Sequence, residues 1–524
     1  MCYAKPGERC AADTCADALS SAAAYTATRP DGPPLDPLSA GSALATPAPV
    51  SVRMPNLITL TPATERLIDA ITEAGGRPYI VGGTVRDALL KPGATPKDVD
   101  VEVFGLDVER LQTALASQFG HVDEAGKSFS VLKVRAGRED FDISLPRREV
   151  KTGAGHRGFD IVPDPDATLL EASARRDFTI NALMYDPATE RVIDHWGGLE
   201  DIRNGVLRHT TEKFAEDPLR VLRGAQFAAR FGMDMAPETV ELSASLTAQY
   251  TELSKERIWG EWRKIAEKGT EPSRALRVLE QTGWERHFPQ IAALHGIEQD
   301  PGWHPEGDVH THSAMAADKA AALADAAGLK GDDRAVVVLA AMLHDVGKHT
   351  HTQRKALPDG TVKITSHGHA TAGVEPARQF LLAIDAPKHL RDRVLPLIDQ
   401  HMAQAGAQKP TPAAVRRLAR RLQPATMHEW ALVVAADKGG RGSASHDPET
   451  AEWLAIADRL GTSTKPQPRL LRGEHLIMTG MKPGPKFKVI LADALAAQDD
   501  GAFDDEAGAI AWLKARLAKG PGDV

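Results

Sequence analysis

The sequence predicts an α+β chain: a small mixed-sheet head near the start, then helices to the end. Three observations predict it. Between about 77 and 185, short apolar strands alternate with helices, as in RPYIVGG, DVDVEVFG, SFSVLKV and EDFDISL. From about 187 to 295, and again through 460, apolar residues recur almost wholly at helical spacing. A chain of 524 residues also exceeds what one hydrophobic core serves, so several domains are expected.

In chain order, residues 1–53 are rich in Ala, Ser, Thr, Pro and Gly and read as a disordered tail. They lack the basic start and strong apolar run of a signal peptide. A head is expected over 54–186, opening with the helix TPATERLIDAITEAGG, and a helical neck and body over 187–295. A histidine-rich helical region is expected over 296–461, and a Pro-containing linker with a helical tail over 462–524. Twelve of the nineteen histidines fall between His287 and His401. The three cysteines, Cys2, Cys10 and Cys15, all lie in the tail, which excludes a disulfide framework or zinc-thiolate site in the folded body. No apolar run reaches the length of a membrane span, and a reducing, cytoplasmic setting is expected. The net charge of −8 excludes a uniformly basic surface but not a local nucleic-acid face.

The stretch KDVDVEVFG (97–105) carries the first chemistry. As a strand it places Asp98, Asp100 and Glu102 on one face and Val99, Val101 and Val103 on the other. Carboxylates two apart on a strand can share hard divalent cations, for which Mg²⁺ is the natural candidate. A solvated acidic edge strand explains the pattern equally well. Upstream, YIVGGTVRDALL (79–90) reads as strand, paired glycines, then helix. Gly82 and Gly83 let a triphosphate approach backbone N–H groups, with Arg86 in the first helical turn. A tight turn remains the plainer reading of two glycines.

Together these segments resemble the head of class II nucleotidyltransferases, the family of tRNA CCA-adding enzymes and bacterial poly(A) polymerases. Further matching segments follow in order. They are EDFDISLPRRE (139–149), RRDFTINAL (175–183), DHWGGLEDI (194–202), EDPLRVLRGAQFAARF (216–231) and ERIWGEW (256–262). The resemblance implies a polymerase-β-type head in which Asp98 and Asp100 hold Mg²⁺, with Asp142 as a third carboxylate. It implies nucleotide binding by Gly82, Gly83, Arg86, Arg176, Asp177 and Arg223, and base reading by Asp217 and Arg220. It makes 194–202 a flexible connector between head and neck. Glu102 receives no role, and Gln226 stands where many relatives carry another Arg. Asp217, Arg220 and Arg223 would share one helix face, where an Asp/Arg pair can accept cytosine and adenine and reject guanine and uracil.

The second centre is RAVVVLAAMLHDVGK (334–348), an apolar helix ending in His344-Asp345. Around it lie HPEGDVHTHS, SHGHATAG, His401 and Asp437. Imidazoles with carboxylates suit a divalent metal. The pattern resembles the HD phosphohydrolase superfamily, which implies metal ligands His312, His344, Asp345 and Asp437, with His369 and His401 as accessories. His310 stays unassigned. The basic helix AVRRLARRLQ (414–423) fits either a phosphate backbone or a solvated face.

The reading that results is template-independent addition of CCA to tRNA from CTP and ATP, with a phosphohydrolase region. Alternatives are a poly(A) polymerase, a CC- or A-only enzyme, an HD phosphohydrolase whose head binds RNA, and a non-catalytic RNA-binding protein.

Overall fold

The computed structural model describes residues 49–93, 98–125, 131–137, 139–151, 159–405, 409–441 and 448–518. The chain forms two compact units, 1–217 and 218–524. No described helix is long and apolar enough to cross a membrane.

The first unit is built on an eight-stranded mixed sheet. Its strands are β1 (Val50–Arg53), β2 (Arg77–Val81), β3 (Asp98–Phe104), β4 (Asp123–Ala125), β5 (Val131–Ala136), β6 (Glu139–Ser144), β9 (Met184–Asp186) and β10 (Arg191–Asp194), while β7 (Arg147–Lys151) and β8 (Phe159–Pro163) form a separate ribbon. The order across the sheet is β1-β10-β9-β2-β3-β6-β5-β4. Helices α1 (Pro62–Glu73), α2 (Gly83–Leu90) and α3 (Val108–Phe119) belong to the same unit.

Alternation decides the faces. Val99, Val101 and Val103 are buried in the main core with Leu67, Ile71, Leu111, Phe141 and Ile143. The opposite face of the sheet packs a smaller cluster, in which Tyr79 meets Phe104 edge-on at 5.5 Å. The β3–β6 pair is parallel, whereas the other named pairs of the sheet are antiparallel.

Three expectations are corrected here. The tail does not run to residue 53: Val50–Arg53 is an edge strand paired with β10, and residues 1–48 lie outside the described residues. The head does not end at 186, because β10 joins β1 to β9 and the unit continues to Asp217. Strands of four residues with partners about 140 positions away leave little local signal. The 194–202 connector is pinned rather than loose. Asp194 ends β10 fully buried, and its carboxylate accepts from the N–H groups of Trp196, Gly197, Gly198 and Leu199 at 2.8–3.0 Å. This fixes the start of α4 (Gly198–Asn204). Asp194→Ala strands these donors and should cost about 2–4 kcal/mol, read as a lower midpoint in urea with an unchanged slope.

The second unit is mainly helical. It contains α5 (Leu219–Phe231), α6 (Lys255–Lys268), α7 (Pro272–Gln281), α8 (Val309–Ala326), α9 (Gly331–Leu343), α10 (Lys388–Gln400), α11 (Pro412–Arg421), α12 (Met427–Gly440) and α13 (Pro485–Asp499), among others. Helix α9 is buried on all sides from Arg334 to Leu343. The one charged residue of that buried stretch, Arg334, is satisfied by Asp325 and by the carbonyls of Ala266 and Gly269.

The stretch expected as a linker is packed, not free. Ser463 O accepts from Met427 N, Gln467 O from Arg420, and Pro468 O from Gln498. The basic helix α11 is likewise engaged: Arg420 pairs with the Asp499 carboxylate and Arg417 with that of Asp500, while Arg416 donates to the Asp499 carbonyl and Arg421 to Gln400 Oε1. Its guanidinium groups therefore serve packing, which favours neither a free phosphate track nor a fully solvated face.

Candidate active sites of the head and the histidine-rich region

In the head, the parallel register sets Asp98 opposite Asp140, Asp100 opposite Asp142, and Glu102 opposite Ser144. Asp100 and Asp142 therefore stand side by side on neighbouring strands, as the sequence led us to expect. For Asp98 only the backbone is described. Lys133 on β5 faces Asp142, with its Nζ 2.9 Å from a carboxylate oxygen. That hydrogen bond and charge raise the Lys133 pKa, with Asp140 and Asp100 adding to the effect.

The Gly-Gly turn lies against this acidic row. Gly82 adopts φ +66°, and a Cβ there would sit 3.6 Å from Asp100 Oδ2 and 3.5 Å from Arg176 Nη1. Those are ordinary contact distances, so it is the positive φ that favours glycine here. Arg176 Nη2 donates to Glu102 Oε2 at 2.9 Å. Glu102 is itself buried, so the third acid of the row has a defined partner and orients the arginine beside Asp100. Sequence reasoning missed this role. The alternation that grouped Glu102 with the aspartates was the available signal. Glu102→Gln keeps the shape and removes the charge. On the nucleotidyltransferase resemblance of the sequence, it should raise the nucleotide KM about ten-fold with a smaller change in kcat, the scale of one charge-assisted hydrogen bond, read by steady-state incorporation.

Arg86 points into the fold. It is buried, and it donates to Asn181 Oδ1 at 2.7 Å and to Asp87 at 2.8 Å. Asn181 in turn donates to Asp177 Oδ1 at 2.8 Å, which also accepts from Phe178 N. The chain Arg86–Asn181–Asp177 ties the start of α2 to the RRDFTINAL segment. This bracing gives Arg86 and Asp177 a structural role in holding the turn against that segment.

Asp217 is not on the helix with Arg220 and Arg223, contrary to expectation. It is extended (φ −133°, ψ 99°), because Pro218 follows it and disfavours helical backbone at the preceding residue. Helix α5 begins at Leu219. On it Arg220 and Arg223 are three apart and half-buried, with the Arg223 guanidinium 4.9 Å from the Phe227 ring. Gln226 is buried on the same helix.

In the second unit the four expected metal ligands converge. His312 on α8 has its Nε2 3.3 Å from His344 Nε2 and 3.1 Å from Asp437 Oδ1 on α12. His344 Nε2 lies 3.2 Å from Asp345 Oδ2. The accessory histidines complete the cluster: His369 Nε2 is 3.1 Å from Asp345 Oδ1 and 3.1 Å from His401 Nε2. All six are buried.

Each ring is aimed through its other nitrogen. His344, His369 and His401 meet the carbonyls of Ala341, Ser366 and Ile398 through Nδ1 at 2.6–2.7 Å. His312 Nδ1 meets Glu306 Oε1 at 2.6 Å. A carbonyl can only accept, so Nδ1 carries a proton in those three rings and Nε2 is the nitrogen that faces the centre. Imidazole Nε2 atoms grouped around two carboxylates fit a divalent metal, which His312, His344, Asp345 and Asp437 would hold. Among the protein groups alone, the electrostatics place a proton on His344 Nε2, which a bound metal would displace. Burial alone would raise both carboxyls, yet His344 and Lys348 hold Asp345 well below the usual range, and His312, His344 and Arg441 do so for Asp437. Burial opposes charge on His344, but Asp345 and Asp437 outweigh it and push its pKa up to about 10, while burial and the neighbouring His344 drive His401 down to about 3.

Glu306, Lys348 and Arg441 are further members that the sequence did not single out. Lys348 Nζ is 2.7 Å from Asp345, and Arg441 Nη2 is 2.8 Å from Asp437. His310 is separate: it pairs with Glu285 at 3.0 Å and stacks on His295. The site opens into a cleft of about 800 Å³ lined by Asp345, His369, His401 and Arg441.

Comparison with known proteins follows the same division. Residues 78–208 match the poly A polymerase head domain, 232–294 the probable RNA and SrmB-binding site of polymerase A, and 309–460 the HD domain. The multifunctional CCA protein of Halorhodospira halophila is 38% identical over 388 residues, covering 72% of this chain and 86% of that protein. That of Neisseria meningitidis serogroup B is 36% identical over 390 residues, covering 72% and 87%. In fold, the chain is similar to the Bacillus stearothermophilus CCA-adding enzyme in complex with CTP. The TM-score is 0.56 at 21% identity, over 88% of this chain and 99% of that one. With the acidic row, the Gly-Gly turn and the histidine cluster all in place, the chain belongs to the family of the multifunctional CCA proteins.

Proposed function

We propose that this chain, acting in the cytoplasm, adds C, C and A to the 3′ end of tRNA from CTP and ATP. The observation that carries the proposal is the Asp100–Asp142 pair, set beside the Gly82 turn and the Glu102–Arg176 ion pair. The 3′-hydroxyl oxygen forms a bond to the α-phosphorus and gives up its proton to a carboxylate of the acidic row and thence to water, as the bond to the bridging oxygen breaks and pyrophosphate leaves. Asp98, Asp100 and Asp142 would hold Mg²⁺, which supplies Lewis-acid polarisation and charge neutralisation when bound. Arg176, fixed by Glu102, neutralises phosphate charge, and the glycine turn offers backbone N–H groups. Asp217 and Arg220 are assigned to the base, and Arg223 to the triphosphate, by family resemblance.

The test is incorporation of each labelled nucleotide into tRNA lacking CCA, lacking A, or complete. Growth of the first substrate by C, C and A and no further is expected. Unlimited A addition would make the chain a poly(A) polymerase, and A-only addition would mark a divided system.

We propose further that the histidine-rich region is a metal-dependent phosphohydrolase. His312, His344, Asp345 and Asp437 would hold one divalent ion, and Asp345, His369 and His401 a second. Lys348 and Arg441 keep the carboxylates ionised and face the cleft where a phosphate would lie.

A further inference from the structure

A second group of imidazole and carboxylate side chains stands apart from the histidine cluster. Glu285, His295 and His310 each bring a ligand atom within 4.8 Å of the others. His295 Nε2 lies 2.9 Å from Glu285 Oε2, and His310 Nε2 lies 3.0 Å from Glu285 Oε1. The two imidazoles stack at 3.7 Å with 21° between their planes, and both Nε2 atoms address the one carboxylate. Helical geometry keeps this group away from the hydrolase cluster. His310 and His312 are two residues apart in the first turn of α8, about 200° around its axis. His312 turns to Glu306 and His344, whereas His310 turns to Glu285.

Three segments deliver the side chains, and each is anchored. The turn Trp284–His287 carries Glu285 and is fixed by Trp284, whose buried indole donates to Ser243 O at 2.8 Å. Asp308 ties the other two segments together. Its Oδ1 accepts from Thr311 N and caps α8, while its Oδ2 accepts from Gly296 N at 2.7 Å, next to His295. Val309 N donates to Ile297 O at 3.1 Å in the same place. Backbone contacts therefore bring the two rings together, independently of the hydrogen bonds the rings make themselves.

We infer that Glu285, His295 and His310 form a further metal site, for a divalent transition ion such as Zn²⁺. Two imidazoles and one carboxylate are a set that Zn²⁺ takes as three protein ligands with water as the fourth. Ligands bonded at about 2.0–2.1 Å and set at right angles stand about 2.9 Å apart, which is the spacing of each ring nitrogen from its carboxylate oxygen. Glu285 and His310 are buried and His295 is exposed, so the site is open to water on the His295 side. A neutral ring binds the ion by moving its proton from Nε2 to Nδ1, and its hydrogen bond to Glu285 is exchanged for a bond to the metal. The ion would clip the start of α8 to the helical body before it.

The full chain is stripped with a chelator and dialysed against Zn²⁺ in excess Mg²⁺, which occupies oxygen-ligand sites and keeps the head out of the count. Bound zinc is then measured by elemental analysis. His295→Ala, on the exposed side of the site, should lose one zinc per chain. Its Kd there should rise about 100-fold or more, beyond the range for an outer partner of a metal ligand. Glu285→Gln should give the same loss. His344→Ala acts on the histidine cluster instead, so the double variant His295→Ala/His344→Ala should lose the sum of the two single losses. With Co²⁺ as the probe, the visible absorption missing from His295→Ala should persist in His344→Ala. No zinc on the unaltered chain, equal zinc on the His295→Ala and unaltered chains, or a double variant that loses no more than His344→Ala alone overturns the inference and leaves Glu285 as a hydrogen-bonding partner of two histidines.

Discussion

Asp100→Ala, alone or with Asp98→Ala, should lower nucleotide incorporation by about three orders of magnitude or more, the scale expected when a phosphoryl-transfer centre loses its metal-binding carboxylate. The register explains why no neighbour takes over. Glu102 is one pleat further along the same face, but its carboxylate is engaged by Arg176 at 2.9 Å. Asp142 stands opposite Asp100 and already faces Lys133. The fold should be indifferent to the change, because the core side of β3 is Val99, Val101 and Val103. Asp100→Asn, which keeps volume and hydrogen bonding, should be nearly as inactive as the alanine variant. That result would assign the loss to charge rather than to packing. Thermal denaturation of both variants should overlay the parent, and hydrolysis by the histidine-rich region should continue. Incorporation surviving at more than a small residue in the double variant would remove these carboxylates from the reaction.

Legibility in the sequence followed sequence distance. Alternation along β3 is local, so the acidic face was readable from seven residues. Pairing with β6 is not local. That Asp142 rather than Asp140 stands opposite Asp100 became a structural fact only through the parallel register. The role of Glu102 depends on an arginine 74 positions away, and nothing near Glu102 signals it. The base-reading face was misjudged at Asp217 for a local reason that was visible. Pro218 ends helical backbone before it begins, and spacing by threes took precedence over that rule. In the histidine-rich region the ligands announced themselves by residue type, whereas their supports did not. Three of the four Nδ1 partners are backbone carbonyls, which every residue has. The fourth, Glu306, lay inside a quoted motif, and only the fold shows that its carboxylate reaches His312.

That distinction between ligand and support yields the second large effect. His344→Ala should abolish hydrolysis and lower the bound divalent metal, measured by elemental analysis after dialysis, with no loss of nucleotide incorporation. His344 Nε2 lies within 3.7 Å of His312, Asp345 and Asp437, so its removal opens the middle of the cluster. The two carboxylates then lose a cationic or metal-directed neighbour in a buried setting, which an incoming water offsets poorly. Glu306→Gln tests the support separately. The glutamine can still hydrogen-bond to His312 Nδ1, but it withdraws the negative charge that makes the ring a better donor. Metal affinity and activity should fall about 10- to 100-fold, the usual range for an outer partner of a metal-bound histidine. Adding excess metal should recover Glu306→Gln and not His344→Ala, because the first weakens a complete site and the second deletes part of it. A His344→Ala chain that keeps its full complement of metal would show that the ion sits elsewhere. A Glu306→Gln chain unresponsive to added metal would show that Glu306 acts on the fold rather than on the ligand.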